Sequence, residues 1–238
     1  MNPHRFLSAA FAPQVSSAYW FSFLYFAEQR ASNAFTALLI ALGFSSVLQI
    51  LVLLLYVKAA KVDVYVSERG RRGPVFAVSI VFYVTGLAAL FLIGAPKLTS
   101  LLMLAYSVNT LIAYLVTLWF TKVSLHVWGI SGPAIVIFYA FGALPFFALM
   151  ALALLVGYSR VKTRAHTPWQ VALAVFLSLL VTSLTLVIAT GLRDIAPVPV
   201  RGRQAPLTVR VELDQMPAKA KRRSGLRPEA KRAGDLRG

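Results

Sequence analysis

Four long apolar runs constrain the fold of this 238-residue chain more than any other feature. Residues 34–57, 75–94, 99–120 and 169–190 are almost free of charge. Each run is about 20 residues or longer, which is the length that a helix needs to cross roughly 30 Å of hydrocarbon. The runs are apolar on all sides and lack the alternation of a barrel strand. The sequence therefore predicts an all-α fold, a polytopic transmembrane helical bundle.

Two further apolar segments decide how many times the chain crosses the membrane. Residues 6–27 are interrupted at Pro13 and are crowded with aromatic side chains, so this segment either crosses or lies along the interface. Residues 127–158 are about 48 Å long as one helix and about 24 Å each as two. Gly142 and Pro145 in the middle favour two short helices. We therefore expect about six to seven membrane helices.

Charge and composition divide the chain into three parts. Residues 1–33 form an amphipathic or first membrane segment, 34–191 form the helical bundle, and 192–238 form a basic tail that holds twelve of the 24 Lys and Arg residues. The tail has few large apolar residues, so we expect it to be largely disordered and to contact anionic lipid headgroups. Its "KAKRRSGLR" is a weaker indication of nucleic acid, which we do not expect as a partner. The chain has no cysteine, which excludes disulfides and thiolate metal sites.

Basic connectors between the apolar runs indicate where a functional site lies. Nine of the twelve Lys and Arg residues before the tail fall in connectors at 58–74, 121–126 and 157–170. If 75–120 and 127–158 are both hairpins, two crossings separate each connector from the next. All three connectors then emerge on one membrane face, and together they make a cationic pocket. Two of the three histidines of the chain, His126 and His166, fall in these connectors.

Arginine and histidine at one pocket point to phosphate chemistry. A guanidinium group matches phosphate oxygens with a planar fork of donors. A neutral imidazole can attack phosphorus, and a second one can protonate the leaving oxygen. Carboxylates before the tail are scarce, namely Glu28, Asp63 and Glu68. This inventory argues against a carboxylate-bound Mg²⁺ or a two-metal mechanism, so we expect phosphoryl transfer with no metal and no cofactor.

Three short motifs resemble the signatures of the type 2 phosphatidic-acid phosphatase superfamily. "SRVKTRAH" at 159–166 matches the third signature, S-R-x5-H, which normally continues to an aspartate where this chain has Gln170. "SLH" at 124–126 is similar to the second signature, P-S-G-H, with other residues in place of its proline and glycine. "KVDVYVSERGRRGP" at 61–74 is similar to the first, K-x6-R-P, with Tyr65 where its lysine is expected.

The resemblance implies an integral membrane lipid phosphatase and a role for each matched residue. His166 would attack phosphorus and become a phosphohistidine, His126 would protonate the departing lipid alcohol, and Gln170 would orient His166. The implied substrate ligands are Arg72, Arg160 and Ser124, with Lys61 and Arg69 as auxiliary ligands. Because an amide cannot stabilise an imidazolium by charge, we expect lower or altered activity than with aspartate at position 170.

The expected substrate is a membrane lipid phosphate, either phosphatidate-like or a polyprenyl phosphate or diphosphate. The basic tail favours a cytoplasmic C-terminus, which places the site on the extracytoplasmic face of what we expect to be a prokaryotic cell membrane. A degenerate member that binds anionic lipid or scaffolds a complex without turnover is the alternative. A transporter is a weaker alternative, since it would require charged or glycine-interrupted spans at mid-membrane and the spans carry no charge there. The oligomeric state is open.

Overall fold

The computed structural model describes residues 3–191, apart from the side chain of Arg5. The predicted tail at 192–238 lies outside the described residues. All regular structure in the described range is helical, in nine α-helices and two short segments of other helix types. The helices are α1 (Pro3–Ala10), α2 (Pro13–Glu28), α3 (Ala34–Leu42), α4 (Leu48–Ala60), α5 (Gly73–Leu92), α6 (Lys97–Trp119), α7 (Leu125–Phe141), α8 (Ala143–Lys162) and α9 (Pro168–Thr190). A π-helical segment, Gly43–Val47, joins α3 to α4, and a 3₁₀ turn, Arg69–Arg72, precedes α5.

Five helical stretches within residues 3–191 are long and apolar enough to cross a membrane. They are Ala34–Ala60, Arg69–Leu92, Lys97–Trp119, Ala143–Lys162 and Pro168–Thr190. The predicted helical membrane fold is thus confirmed in class. Helix α7 is shorter, at 17 residues, or about 26 Å. The total of six to seven crossings stays a prediction.

The predicted break inside 127–158 occurs at Gly142. Its backbone has φ 85° and ψ −164°, a conformation that a residue with a Cβ rarely adopts. Pro145 does not take part in the turn and instead lies in the first turn of α8, where its missing N–H removes no helical bond. Since α8 has 20 residues, or about 30 Å, it is longer than the predicted 24 Å.

Helices α7 and α8 also extend further than the sequence indicated. Helix α7 begins at Leu125, so His126 lies in its first turn and not in a connector. Helix α8 continues to Lys162, so Arg160 lies in its last turn. Both side chains therefore project from rigid helix ends. This placement fixes their directions more firmly than a loop would.

The N-terminal segment 6–27 is divided into two helices instead of forming one stretch. Helix α2 packs against α3, α6 and α7. Trp20 is buried and donates a hydrogen bond from Nε1 to the carbonyl of Gly129 at 2.9 Å. Phe21 and Leu24 are fully buried in the same core. Part of the aromatic cluster thus belongs to the bundle core, whereas the sequence left open whether this segment crosses the membrane or lies along the interface.

Buried polar side chains and close helix contacts hold α6, α7, α8 and α9 together. Asn109 on α6 accepts a hydrogen bond from Trp128 Nε1 at 2.7 Å and donates one to Thr182 Oγ1 at 2.8 Å. Gly157 on α8 lies so close to α9 that a Cβ there would come within 2.6 Å of Val171 Cγ1. These contacts set the relative positions of the helix ends that carry the site.

Candidate functional site

The structure brings the predicted arginines and histidines to one end of a cavity of about 150 Å³. Arg72, Arg160, His126 and His166 line that end, although they come from four separate elements. We refer to these four side chains as the cationic end. The rest of the wall is mainly apolar or aromatic and includes Leu53, Val75, Phe76, Tyr83, Tyr106, Ala113 and Leu125. The predicted convergence of three connectors is therefore seen in the geometry. The cavity combines the cationic end with a mainly apolar lining, in which the uncharged polar residues are Gln14, Gln49, Ser79, Asn109 and Thr110.

Helix termini add to the positive potential of the cationic end. Arg72 directly precedes α5, His126 lies in the first turn of α7, and His166 lies two residues before α9. Three helix N-termini thus meet around the cavity mouth. Each carries a partial positive charge and unpaired backbone N–H groups. The arrangement favours an anion at this position.

A hydrogen-bond network fixes the ring of His166 and its tautomer. Gln170 Oε1 accepts a hydrogen bond from the backbone N–H of Thr167 at 3.1 Å, which identifies this atom as the amide oxygen. His166 Nδ1 lies 3.2 Å from the same oxygen. Since the oxygen can only accept, Nδ1 must carry the proton. The other ring nitrogen, Nε2, therefore has a free lone pair, as a nucleophile requires.

Gln170 is held in turn by two further contacts. Its Nε2 donates to Thr121 Oγ1 at 3.0 Å, and its backbone N–H donates to Thr167 Oγ1 at 3.3 Å in a capping box at the start of α9. The predicted orienting residue thus contacts His166 and also ties the 121–124 connector to α9. Thr121 was not identified from the sequence, because nothing in its local pattern distinguishes it from other connector threonines.

His166 is neutral at physiological pH. Burial lowers the pKa of its ring to about 3, and the positive charges of Arg160, Arg72 and Lys122 act in the same direction. The hydrogen bond with Gln170 opposes this shift only in part. The side chain is 6% exposed, so solvent offers little screening. A bound anion would offset these charges.

The two arginines differ in how the protein satisfies them. Arg72 is buried and donates from Nε to the carbonyl of Val66 at 2.8 Å, with a longer bond to the carbonyl of Val123 at 3.4 Å. Arg160 is also buried, and its Nε has no hydrogen-bond partner. Within residues 3–191 the one ion pair with a carboxylate joins Arg71 and Glu68, so neither arginine of the cationic end is neutralised by a salt bridge.

His126 and Ser124 both carry buried polar atoms without partners. His126 is 7% exposed, and its Nε2 makes no hydrogen bond. Ser124 is fully buried at the N-cap of α7, and its hydroxyl neither caps the helix nor bonds elsewhere. Unsatisfied polar atoms cost free energy on burial, so each of them calls for an explanation, of which a functional role is one. His126 lines the cavity with the arginines, and its open Nε2 fits a site that receives polar groups from a ligand, whereas the predicted substrate ligand Ser124 is not part of the cavity lining.

Two further predicted substrate ligands, Arg69 and Lys61, also lie outside the cavity lining. Arg69 donates to the carbonyls of Thr117 and Leu118, at 2.5 and 2.8 Å, and so caps the C-terminus of α6. Lys61 is an exposed residue in left-handed conformation at the end of α4, with φ 50°. Neither residue lines the cavity described above. A basic residue near a motif can thus serve a helix end, which its spacing alone does not reveal.

The structure places two residues near the cationic end that the sequence did not assign to the site, namely Lys122, expected as a headgroup contact, and Tyr65. Burial and the charges of Arg72 and Arg160 lower the pKa of Lys122, so its ammonium group lies within electrostatic reach of both. The ring of Tyr65 lies over the guanidinium of Arg160, 4.9 Å from Cζ, and 5.8 Å from the ring centre of His126. The occurrence of tyrosine where the first signature has lysine was the signal that could have drawn attention to Tyr65.

Comparison with known proteins adds no relative: no protein-family model, no curated protein and no solved structure matches this chain. The functional assignment therefore rests on the residues and on the geometry given above.

Proposed function

We propose that this chain is an integral membrane phosphatase that hydrolyses a lipid phosphate through a phosphohistidine intermediate, without a metal, as a divergent member of the type 2 phosphatidic-acid phosphatase superfamily. One observation carries the proposal. A single cavity is lined by two buried arginines and two buried histidines together with a mainly apolar and aromatic wall. Such a cavity matches an amphiphile with an anionic head and a hydrocarbon chain.

The reaction starts at His166. Its Nε2 attacks phosphorus, an N–P bond forms, and the bond from phosphorus to the lipid oxygen breaks. With the anion bound, the negative charge of the phosphoryl group favours the imidazolium form of His126, and the departing oxygen takes the proton from its Nε2. Water then attacks phosphorus, the N–P bond breaks, and the proton from water returns to His126. Arg72 and Arg160 stabilise the charge on the equatorial oxygens.

The apolar wall supports a lipid as the substrate. Leu53, Val75 and Phe76 flank the cavity on α4 and α5, and these helices present apolar faces to the surroundings. A soluble phosphate ester would gain nothing from such a wall. The hydrocarbon chain of a membrane lipid can remain in apolar surroundings along such a wall while its headgroup reaches the arginines, so no apolar surface need be exposed to water. The choice between a phosphatidate-like and a polyprenyl substrate, and the extracytoplasmic orientation, belong to the proposal.

Phosphate release from defined lipids tests the proposal. The purified chain in liposomes is offered phosphatidate, phosphatidylglycerol phosphate and polyprenyl phosphates, and free phosphate is measured. His166→Ala should abolish release, because the N–P bond forms at its Nε2 and the assigned role of His126 is proton transfer. His4→Ala is the matched control, since His4 lies outside the cavity lining. Release that persists in His166→Ala would refute the assigned nucleophile.

A second function, binding of anionic lipid without turnover, is favoured by the amide at Gln170. An amide oxygen offers a dipole where a carboxylate would offer a full charge to the developing imidazolium. The same liposome experiment separates the two functions. Saturable lipid binding that requires Arg72 and Arg160, with no phosphate release from any substrate, would establish the binding function instead.

A further inference from the structure

The ring of Tyr65 lies close to two residues of the cationic end. Its centre lies 4.9 Å from Cζ of Arg160 and 5.8 Å from the ring centre of His126. A phosphoryl group bound by Arg160 and protonated by His126 would lie between the same two side chains, at similar separations from each. The aromatic ring and the phosphoryl group thus require overlapping space.

The chain holds Tyr65 in this position by a specific turn. Asp63 accepts hydrogen bonds from the backbone N–H groups of Tyr65 and Ser67, both at 2.9 Å, and from the Ser67 hydroxyl at 3.0 Å. The next residue, Val66, is buried in left-handed conformation with φ 43°, which is unfavourable for a β-branched residue. Its carbonyl accepts the 2.8 Å hydrogen bond from Arg72. The turn therefore connects the position of Tyr65 directly to an arginine of the site.

The ring also substitutes for a counter-ion. Arg160 is 4% exposed and forms no ion pair with a carboxylate in the part of the chain that the structure describes. Asp63 is close enough for its charge to act on Arg160, but its oxygens already accept the hydrogen bonds of the turn. The negative face of an aromatic ring attracts a guanidinium, most strongly where both are removed from water. An anion bound at the same place would satisfy Arg160 better, but it would first have to displace the ring.

We propose that Tyr65 is the residue that sets anion affinity and access at this site: its ring competes with phosphate for Arg160 and His126 and must swing away before an anion binds. The inference rests on the proposed function, because it takes the cationic end as a phosphate site. Tyr65 remains 40% exposed, so the side chain has space toward the outside into which it can rotate. The buried Nε2 of His126 and Nε of Arg160 become accessible in that open arrangement.

Binding of inorganic phosphate tests the inference without requiring turnover. The full chain in detergent micelles is titrated with phosphate by calorimetry. Tyr65→Ala removes the competing ring and should bind phosphate about 2- to 30-fold more tightly than wild type, which is the span expected from the loss of a cation–π contact. Tyr65→Phe keeps the ring and should bind within about twofold of wild type, since the face of Phe also attracts a cation.

A second tyrosine–cation pair provides the control. Tyr158 on α8 is exposed and lies 5.4 Å from the ammonium group of Lys162, outside the cavity lining. Tyr158→Ala removes a similar contact and should leave phosphate affinity unchanged.

Each result of the titration decides a separate point. Tighter binding in Tyr65→Ala alone supports the competition. Equal or weaker phosphate binding in Tyr65→Ala overturns the competition. Weaker binding in Tyr65→Phe also overturns it, and it would show that the tyrosine hydroxyl binds phosphate. After either of these results the cationic end still stands as a phosphate site. If neither wild type nor Tyr65→Ala binds phosphate, the cationic end is not a phosphate site, and the proposed function fails together with the inference.

Discussion

Replacing Gln170 by glutamate should change the chemistry of His166 while preserving the geometry around it. Glutamate has the same length as glutamine, so one carboxylate oxygen keeps the contacts with His166 Nδ1 and with the backbone N–H of Thr167, at 3.2 and 3.1 Å in the wild type. The other oxygen accepts from the Thr121 hydroxyl, which now donates. Aspartate at the same position is one methylene shorter and would leave these atoms further apart.

The expected effect is a higher basicity of the His166 ring. An opposite charge at hydrogen-bonding distance shifts a pKa by about 1–3 units. The pKa of His166, which burial and the neighbouring cations hold at about 3, should therefore rise to about 4–6. Each unit corresponds to 1.36 kcal/mol of stabilisation of the imidazolium. If the transition state carries imidazolium character, phosphate release should increase by about tenfold or more.

Two assays check this prediction. Nitrogen NMR of histidine-labelled protein in micelles reports the titration directly, because the chain has three histidines and single variants assign them. Phosphate release from liposomes reports the rate. Gln29→Glu is the control, since it makes the same chemical change at an exposed residue. A pKa of His166 that stays the same or falls in Gln170→Glu would refute the claim that this contact sets the state of the ring.

Three further changes test the site and its support. Arg72→Gln should lower phosphate affinity by about tenfold or more, because one charged hydrogen-bond donor is worth about 1.5–3 kcal/mol, whereas the control Arg71→Gln should leave the affinity unchanged. Equal losses of affinity in the two variants, measured by equilibrium phosphate titration, would contradict the role of Arg72 as a phosphate ligand. Gly157→Ala should destabilise the bundle by about 1–3 kcal/mol, because the new Cβ would lie 2.6 Å from an α9 side chain. In the control Gly70→Ala the new Cβ meets no atom within 4 Å, so equal melting temperatures of the two variants would contradict the close contact at Gly157. The pKa of His166 in the folded chain, at about 3, lies below its value of about 6.5 in the unfolded chain. Between these two pH values the unfolded chain binds more protons, so the free energy of unfolding should fall as the pH drops from 6.5 toward 3. A denaturant series should show a weaker pH dependence in His166→Gln, and an unchanged slope would contradict the burial of the ring.

The sequence was sufficient for the helical membrane class and for the convergence of the site. Long uncharged runs leave a chain few alternatives to spanning helices, because backbone polar groups in hydrocarbon must bond internally. Counting crossings between connectors then placed His126 and His166 at the same end. Neither step required knowledge of side-chain packing.

The sequence was not sufficient for the roles of individual basic residues. Arg69 and Arg72 are three positions apart in one basic run, yet one caps α6 and the other lines the cavity. Which arginine faces inward depends on the 3₁₀ turn and on carbonyls supplied by distant segments. The same limit applies to Tyr65, whose position depends on a turn built by Asp63 and on the left-handed backbone of Val66.

Direct detection of a phosphorylated His166 tests the central claim most simply. Wild-type protein in liposomes is mixed with a radiolabelled lipid phosphate, quenched in alkali within the first turnover, digested and mapped. We expect a label that is stable in alkali and labile in acid, located on the peptide that contains His166 and missing in His166→Ala. A label on another residue, or rapid phosphate release with no labelled protein at any time, would contradict the account.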